Sequence, residues 1–211
     1  MAYLLVTGHD DEVELAPENP PSDTVAILLA AGAGSRFRGP EHKLLTKLPG
    51  GSEASIFENS LHQVLDAGFS AVVVVTGAAT IPATWTASPR VVVVHNDHWA
   101  EGQAGSVLVG IAEADRLGAN AVVVGLADQP FVTSTAWRLV ANQSTPVALA
   151  AYAGRPGHPV RLERSVWPLL PKSGDSGARD LIRLRPELVS QVDCPGSAAD
   201  IDTQEDLAQW T

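Results

Sequence analysis

A single cysteine, Cys194, has no partner in the chain, so no internal disulfide framework is expected and a reducing compartment suits the protein. Long apolar runs are missing as well, and none approaches the ~20 residues that span a bilayer. The apolar start, Met1 to Val6, has no basic flank and runs into His9-Asp10-Asp11-Glu12, which is not how a secretory signal is built. Positive charge is scarce: 14 Lys and Arg against 24 Asp and Glu leave a formal net charge of −10. That balance argues against a nucleic-acid partner, whose backbone is bound by clustered basic side chains. Together these absences predict a cytoplasmic protein with neither membrane nor nucleic acid as partner. A small phosphorylated ligand remains open, because it needs only a local basic pocket.

What is present points to one packed domain. The 211 residues are 45% hydrophobic and only 18% charged, which supports a core rather than disorder. Residues 9–23 are acidic and proline-rich, so 1–23 reads as a partly flexible extension, with a strand-like AYLLV at 2–6. The folded domain is expected over 24–211. Within it VAILLAA (25–31), AVVVVTG (71–77), VVVVH (91–95), AVVVGLAD (121–128) and VALAAY (147–152) are short apolar blocks. Strands apolar at every position are buried on both faces, which predicts a mostly parallel sheet between helix layers. A helix over about 54–67 carries Ile56, Leu61, Val64 and Leu65 on one side, with Ser52 as its cap and Gly68 as its stop. Another helix over 105–117 uses Val107, Leu108, Ile111 and Leu117; a third starts at Thr133 or Ser134; TQEDLAQW forms a last one, capped by Asp202 or Thr203. The fold class is therefore α/β, a single doubly wound Rossmann-like domain. In such sheets ligands sit beyond the carboxyl ends of the strands. The polar residues there are the glycine loop after Ala31, Thr76-Gly77, His95-Asn96-Asp97 and Asp128-Gln129.

The glycine loop has the composition of a phosphate cradle. Gly32, Gly34 and Gly39 permit close backbone approach, and Arg36, Arg38 and Lys43 supply charge. It is not a dinucleotide turn, because Phe37 stands where G-x-G-x-x-G needs its third glycine. It is not a P-loop either, because Pro40 and Glu41 follow Gly39 in place of Lys and Ser/Thr. Asp128, a lone carboxylate at a strand end, suits Mg2+, which is held by one or two carboxylates plus substrate phosphates. A turn aspartate before Pro130 is the plainer alternative. Asp200 and Asp202 are two apart and share a face if extended. His95-x-x-His98 with Asp97 invites a zinc reading, but zinc needs three or four ligands and no HExxH or cysteine cluster supports it.

LLAAGAGSRFRG followed by Lys43 resembles the signature loop of the molybdenum cofactor nucleotidyltransferases, L-A-A-G-x-S/G-x-R-x-G-x-x-K, with a longer spacer, GPEH, before the lysine. GLADQPFV is similar to the family's L-A-D-M/Q-P-F/Y, and DIDTQEDL to its D-I-D-T-P-E-D-L. HNDHWAEGQAGSV (95–107), GRPGHPVRL (154–162) and GDSGARDLI (174–182) also match family segments; the last two read as glycine-rich turns. The resemblance implies a fold of the nucleotide-diphospho-sugar transferase type and catalytic roles for Arg36, Lys43 and Asp128. It implies nucleotide contacts from Leu29, Ala30, Ala31, Gly32, Ala33, Gly34, Ser35, Thr76, Gly77, Asn96, Gly105 and Ser106, in addition to those three. It implies acceptor contacts from His158, Asp175 and Arg179, although for His158 and Asp175 ordinary turn and cap chemistry is an equal alternative. It implies Mg2+ on Asp128 and Asp202, with Asp200 the less favoured ligand. Taken together, LAAG, GLADQP, GHP, GDSGAR and DIDT look like the cytidylyltransferase branch. That branch transfers CMP from CTP to the terminal phosphate of molybdopterin and releases pyrophosphate, and a molybdoenzyme or its maturation chaperone would be a further partner. The alternatives are a guanylyltransferase, a nucleotidyltransferase for a sugar or other small phosphate, and a non-catalytic nucleotide-binding chaperone.

Overall fold

Aliphatic and β-branched side chains fill the central strands because they fit a pleated surface packed on both sides. In the computed structural model, which describes residues 18–50 and 53–210, β1 (Thr24–Ala30) and β2 (Val72–Thr76) are buried at every position. Beside them lie β3 (Val91–His95) and β4 (Ala121–Leu126), all pairing in parallel. Adding β5 (Val147–Tyr152), β6 (Arg155–Glu163) and β7 (Val189–Asp193) completes a seven-stranded sheet of order β3-β2-β1-β4-β6-β5-β7. Only β6 runs against the rest, antiparallel to both β4 and β5, so the sheet is mostly parallel as expected. No helix among the described residues is long and apolar enough to cross a membrane.

Alternate residues of β1 face opposite layers. Ala26 and Leu28 pack with α1 (Ile56–Asp66) and α3 (Ser134–Ala141), whose Phe57, Leu61 and Trp137 fill one core. Val25, Ile27 and Leu29 pack on the other side with α2 (Gln103–Arg116) and α4 (Arg179–Leu184), through Val107, Ile111 and Leu181. Leu28 is fully buried, so truncation to alanine would cost about 2–5 kcal/mol. That rigidity holds the strand ends, and hence the loops beyond them, in fixed relative positions.

Several expectations need correction. Residues 2–6 and 9–17, and Ser52, lie outside the described residues. The cap of α1 is Ser55: its Oγ accepts from the Glu58 N–H at 3.1 Å, and the Glu58 carboxylate accepts from the Ser55 N–H at 2.8 Å. β3 is not buried on both faces. It is an edge strand, and Val93 is 47% exposed, because apolarity alone cannot tell an edge from a centre. Residues 155–162 are strand rather than turn; only Ala153 and Gly154, both at positive φ, make the bend into it. β7 has no sequence signature, because VSQVD has no clean apolar run. α2 starts two residues early, at Gln103, with Gly102 (φ 112°) before it. Neither Asp175 nor Ser176 caps α4, where Ala178 holds the cap position. Thr133 caps α3, and Thr203 caps α5 (Gln204–Ala208) in a capping box with Asp206.

Candidate active site

The parallel pairing of β1 with β4 brings their carboxyl ends side by side, and the Ala127 N–H donates to the Leu29 carbonyl at 3.0 Å to fix the junction. A cavity of about 520 Å³ opens there, lined by the stretch from Leu29 to Arg36 and by Lys43, Ser106, Asp128, Asp175 and Asp202. The loop turns at Gly34 (φ 61°), where a Cβ would meet His42 at 3.1 Å and Lys43 at 3.2 Å. His42 braces it from below: the Leu44 N–H donates to Nδ1 at 3.3 Å, so Nε2 carries the proton and donates to the Gly32 carbonyl at 3.0 Å. The longer spacer Gly39-Pro40-Glu41-His42 thus places a strut under the cradle. The amino end of α2, with Gln103 and Ser106, faces the same space and adds the positive pole of a helix dipole.

The charged residues meet at the floor. Lys43 Nζ lies 2.6 Å from Asp128 Oδ2 and 2.8 Å from Asp202 Oδ1, and Arg36 Nη2 lies 2.8 Å from Asp202 Oδ2. Asp202 reaches this point because the Ile201 N–H donates to the Asp128 carbonyl at 3.0 Å, and its own N–H donates to Asp206 at 3.1 Å. Burial pulls the Lys43 pKa down, but Asp128 and Asp202 outweigh it and hold the value above the ordinary lysine range, so the ammonium stays charged. Asp200 is turned elsewhere: it accepts from Gln129 Nε2 at 2.7 Å, and partial burial, with the charges of Asp128 and Asp202, raises its pKa.

Asp128 Oδ1 is buried with no hydrogen-bond partner. An orphaned carboxylate oxygen next to a second carboxylate fits a hard divalent cation, which takes oxygen ligands. No group of three or more His, Cys, Asp or Glu among the described residues forms a ready-made cage. A two-carboxylate site completed by substrate phosphates is what these residues can build. The histidine pair of the zinc reading does not converge: His95 lies 3.6 Å from Asp97 and His98 3.0 Å from Glu101, all well exposed.

A second cavity of about 410 Å³ adjoins the first, and Gln103 and Leu126 line both. Its walls are aliphatic, among them Val124, Leu149, Val160 and Leu162, with Gln129, His158, Arg179 and Asp200 as polar groups. His158 enters it through a bulge. Pairing of β5 with β6 passes from Leu149–Val160 to Ala150–Gly157 and skips His158 and Pro159. Burial, opposed by Asp128 and aided by Arg179, lowers the His158 pKa to about 4, so the ring is neutral at pH 7. Of the three residues expected to meet the acceptor, His158 and Arg179 line this cavity, whereas Asp175 lines the first.

Four expected nucleotide contacts stand behind the wall rather than on it. Thr76 Oγ1 donates to the Val94 carbonyl at 3.2 Å, and Asn96 Nδ2 donates to Ser106 Oγ at 2.9 Å while its Oδ1 accepts from the His98 N–H. Gly77 packs so closely that a Cβ would lie 2.6 Å from the Ala31 carbonyl, and one at Gly105 would touch Asn96 at 3.6 Å. Conversely, Trp99 and Gln103 line the first cavity unforeseen. Both fall within the 95–107 segment that resembles the family, although neither was singled out there.

Residues 26–192 match the MobA-like NTP transferase domain. The chain is 34% identical over 197 residues to the nicotine blue oxidoreductase of Paenarthrobacter nicotinovorans, covering 86% of this chain and 93% of that protein. It is 28% identical over 195 residues to the purine catabolism protein PucB of Bacillus subtilis (strain 168), with the same coverage of each. Among solved structures, Rv0371c of Mycobacterium tuberculosis H37Rv superposes with a TM-score of 0.72 at 26% identity, over 88% of this chain and 96% of that one. The same protein has been solved as a manganese complex, with a TM-score of 0.69 at 25% identity over 89% of this chain and 97% of that one. The glycine cradle, the strand-end aspartate and the matched span agree: this chain belongs to the MobA-like NTP transferase domain family, and is a nucleotidyltransferase.

Proposed function

We propose that the protein transfers CMP from CTP to the terminal phosphate of a molybdopterin-type acceptor and releases pyrophosphate. The observation that carries this reading is the meeting of the glycine cradle with Arg36, Lys43, Asp128 and Asp202 in one cavity that adjoins a second, largely aliphatic one. The whole nucleoside triphosphate lies along Ala31 to Ser35, whose backbone amides orient it while the Arg36 guanidinium holds phosphate oxygens. The acceptor body fills the second cavity against His158, Arg179 and Gln129, and its phosphate enters the first beside Gln103 and Leu126. Mg2+ held by Asp128 and Asp202 supplies charge neutralisation on the phosphates when bound; the manganese complex of the mycobacterial relative supports a divalent ion in this family.

The chemistry asks for positioning and electrostatics. An acceptor phosphate oxygen bonds to the α-phosphorus of CTP as the bond to the bridging oxygen of the β-phosphate breaks, and pyrophosphate leaves with the electron pair. That nucleophile is ionised at pH 7, so no base is required, and His158, neutral at that pH, acts as a hydrogen-bonding group. Lys43 and Arg36 stabilise charge on the transferred and departing phosphates. The backbone from Ala31 to Gly34 reads the base.

The test is pyrophosphate release with each of the four triphosphates, at fixed magnesium, with and without molybdopterin. CTP should be preferred over GTP in kcat/KM, with discrimination of up to about 10⁴-fold where hydrogen bonds are lost. Release by none of the triphosphates would sink the reading, whereas preference for GTP would overturn the cytidylyl assignment alone. A second reading comes from the Paenarthrobacter relative, whose name is that of an oxidoreductase. Against the pyrophosphate of a nicotinamide dinucleotide in the cradle stands Phe37, 8% exposed, where a dinucleotide turn places its third glycine. Oxidation of NADH or NADPH by the purified chain with no triphosphate present would favour that reading.

A further inference from the structure

The two carboxylates that suit a divalent ion are already engaged in the free protein. Lys43 Nζ contacts one oxygen of each, and Arg36 holds the other oxygen of Asp202. The fourth oxygen, Asp128 Oδ1, is buried and unpartnered. Each oxygen a metal needs is therefore either covered by one of the protein's own cations or sealed from solvent. A magnesium ion sits ~2.0–2.1 Å from its oxygen ligands. Lys43, at 2.6 and 2.8 Å from those same atoms, occupies the space between the carboxylates that the ion would take. Two like charges cannot share it, because the Lys43 side chain is only 8% exposed and water screens the floor poorly.

We propose that Lys43 is the resident cation of the metal position. Its ammonium holds Asp128 and Asp202 together in the free protein, and a divalent ion enters only as Lys43 leaves. This inference rests on the assignment of Asp128 and Asp202 as ion ligands made above. Charge says what drives the exchange. Two carboxylates with Lys43 and Arg36 form a neutral cluster, which offers a free dication little attraction. A triphosphate in the cradle draws both cations toward itself and bares two carboxylates at once. Lys43 borders the cavity it must swing into, and Arg36, 74% exposed, is free to follow. The ion thus binds with the nucleotide and weakly without it, a reciprocal coupling of the two ligands.

The experiment is a Mn2+ titration of the whole chain without nucleotide, with free Mn2+ read by electron paramagnetic resonance. The proteins are wild type, Lys43→Met, Arg36→Ala, Asp202→Asn and the Lys43→Met/Asp202→Asn pair, each checked for a cooperative thermal transition. Lys43→Met keeps the stem and removes the charge, so it should bind one Mn2+ on the order of tenfold more tightly than wild type. Arg36→Ala, which uncovers one oxygen, should gain less, and the double variant should lose the gain, which locates the ion. Equal or weaker binding by folded Lys43→Met overturns the proposal. If wild type and Lys43→Met bind equally and Asp202→Asn abolishes binding, the ligand assignment stands while the resident-cation role falls. If no variant binds Mn2+, both fall. Should Lys43→Met fail to fold, Arg36→Ala decides: tighter binding supports the proposal and unchanged binding overturns it.

Discussion

Acidification should destabilise this protein through His158, by an amount that follows from its surroundings. Half-buried beside the second cavity, and near Arg179, the ring has its pKa lowered to about 4 in the folded chain from 6.5. Between those values the unfolded chain binds a proton that the folded chain refuses. The stability linked to His158 is therefore complete above pH 6.5, falls as pH drops toward about 4, and changes no further below that. A tenfold difference in proton affinity between the two states is worth about 1.36 kcal/mol, so the full window corresponds to about 3 kcal/mol, less whatever water reaching the ring returns. His158→Gln retains a polar group of similar reach and cannot titrate. Urea unfolding of both proteins across this pH range separates the effect from carboxylates such as Asp206 and Glu113. Their pKa values, lowered by Thr203 and Arg116 respectively, produce the same acid loss in each protein. Wild type should lose on the order of 2–3 kcal/mol more than the variant between neutral pH and pH 4. Superimposable pH profiles would refute the argument and place His158 in a solvated setting.

Asp128→Asn should keep its fold and lose pyrophosphate release by on the order of 10²–10³-fold, the scale of one lost transition-state contact. Asp202→Asn should follow it, whereas Asp200→Asn, whose carboxylate is held by Gln129, should lose less; near-normal turnover by folded Asp128→Asn would end the metal assignment. Arg36→Ala should leave the melting temperature nearly unchanged, because an exposed ion pair contributes ~0–1 kcal/mol, while lowering turnover. A large thermal loss with normal kinetics would make Arg36 structural. Gly102→Ala should destabilise by about 1–3 kcal/mol, since φ is 112° there and a Cβ would lie 2.5 Å from the Gly174 carbonyl carbon. An unchanged urea midpoint would show that the 174 turn does not seat on α2.

The parallel half of the sheet was legible because continuous apolar blocks such as VAILLAA and AVVVGL have few other uses, and they place Gly32 and Asp128 along one edge; that the two strand ends are neighbours comes from the pairing of β1 with β4. In the other half VALAAY marked β5, but β6 and β7 were not legible. β6 carries Gly157, Pro156 and Pro159, turn formers by local preference, and tertiary pairing with β4 and β5 overrides that preference. The same override produced His158's position, since a bulge has no sequence period. Lys43 and Asp128 were named from the cradle and the strand end, but their contact was not, because both were assigned to absent ligands. His42 was invisible: a histidine after Pro-Glu has no pattern that announces a brace. Asp175 lines the first cavity, apart from His158 and Arg179, because its turn folds back over the start of α2, where the Gly174 carbonyl accepts from the Ala104 N–H.

The bridge from Lys43 to Asp202 joins residues 159 positions apart. During synthesis at 5–20 residues per second, roughly 8–30 s therefore separate the emergence of the two partners. Throughout that interval the cradle exists without the carboxylate that closes its floor, and Ile201 is not yet there to clip onto the Asp128 carbonyl. On the function proposed above, a nascent chain exposes a phosphate-attracting loop before Asp202 can join it, and the floor closes only when the 200–204 segment docks.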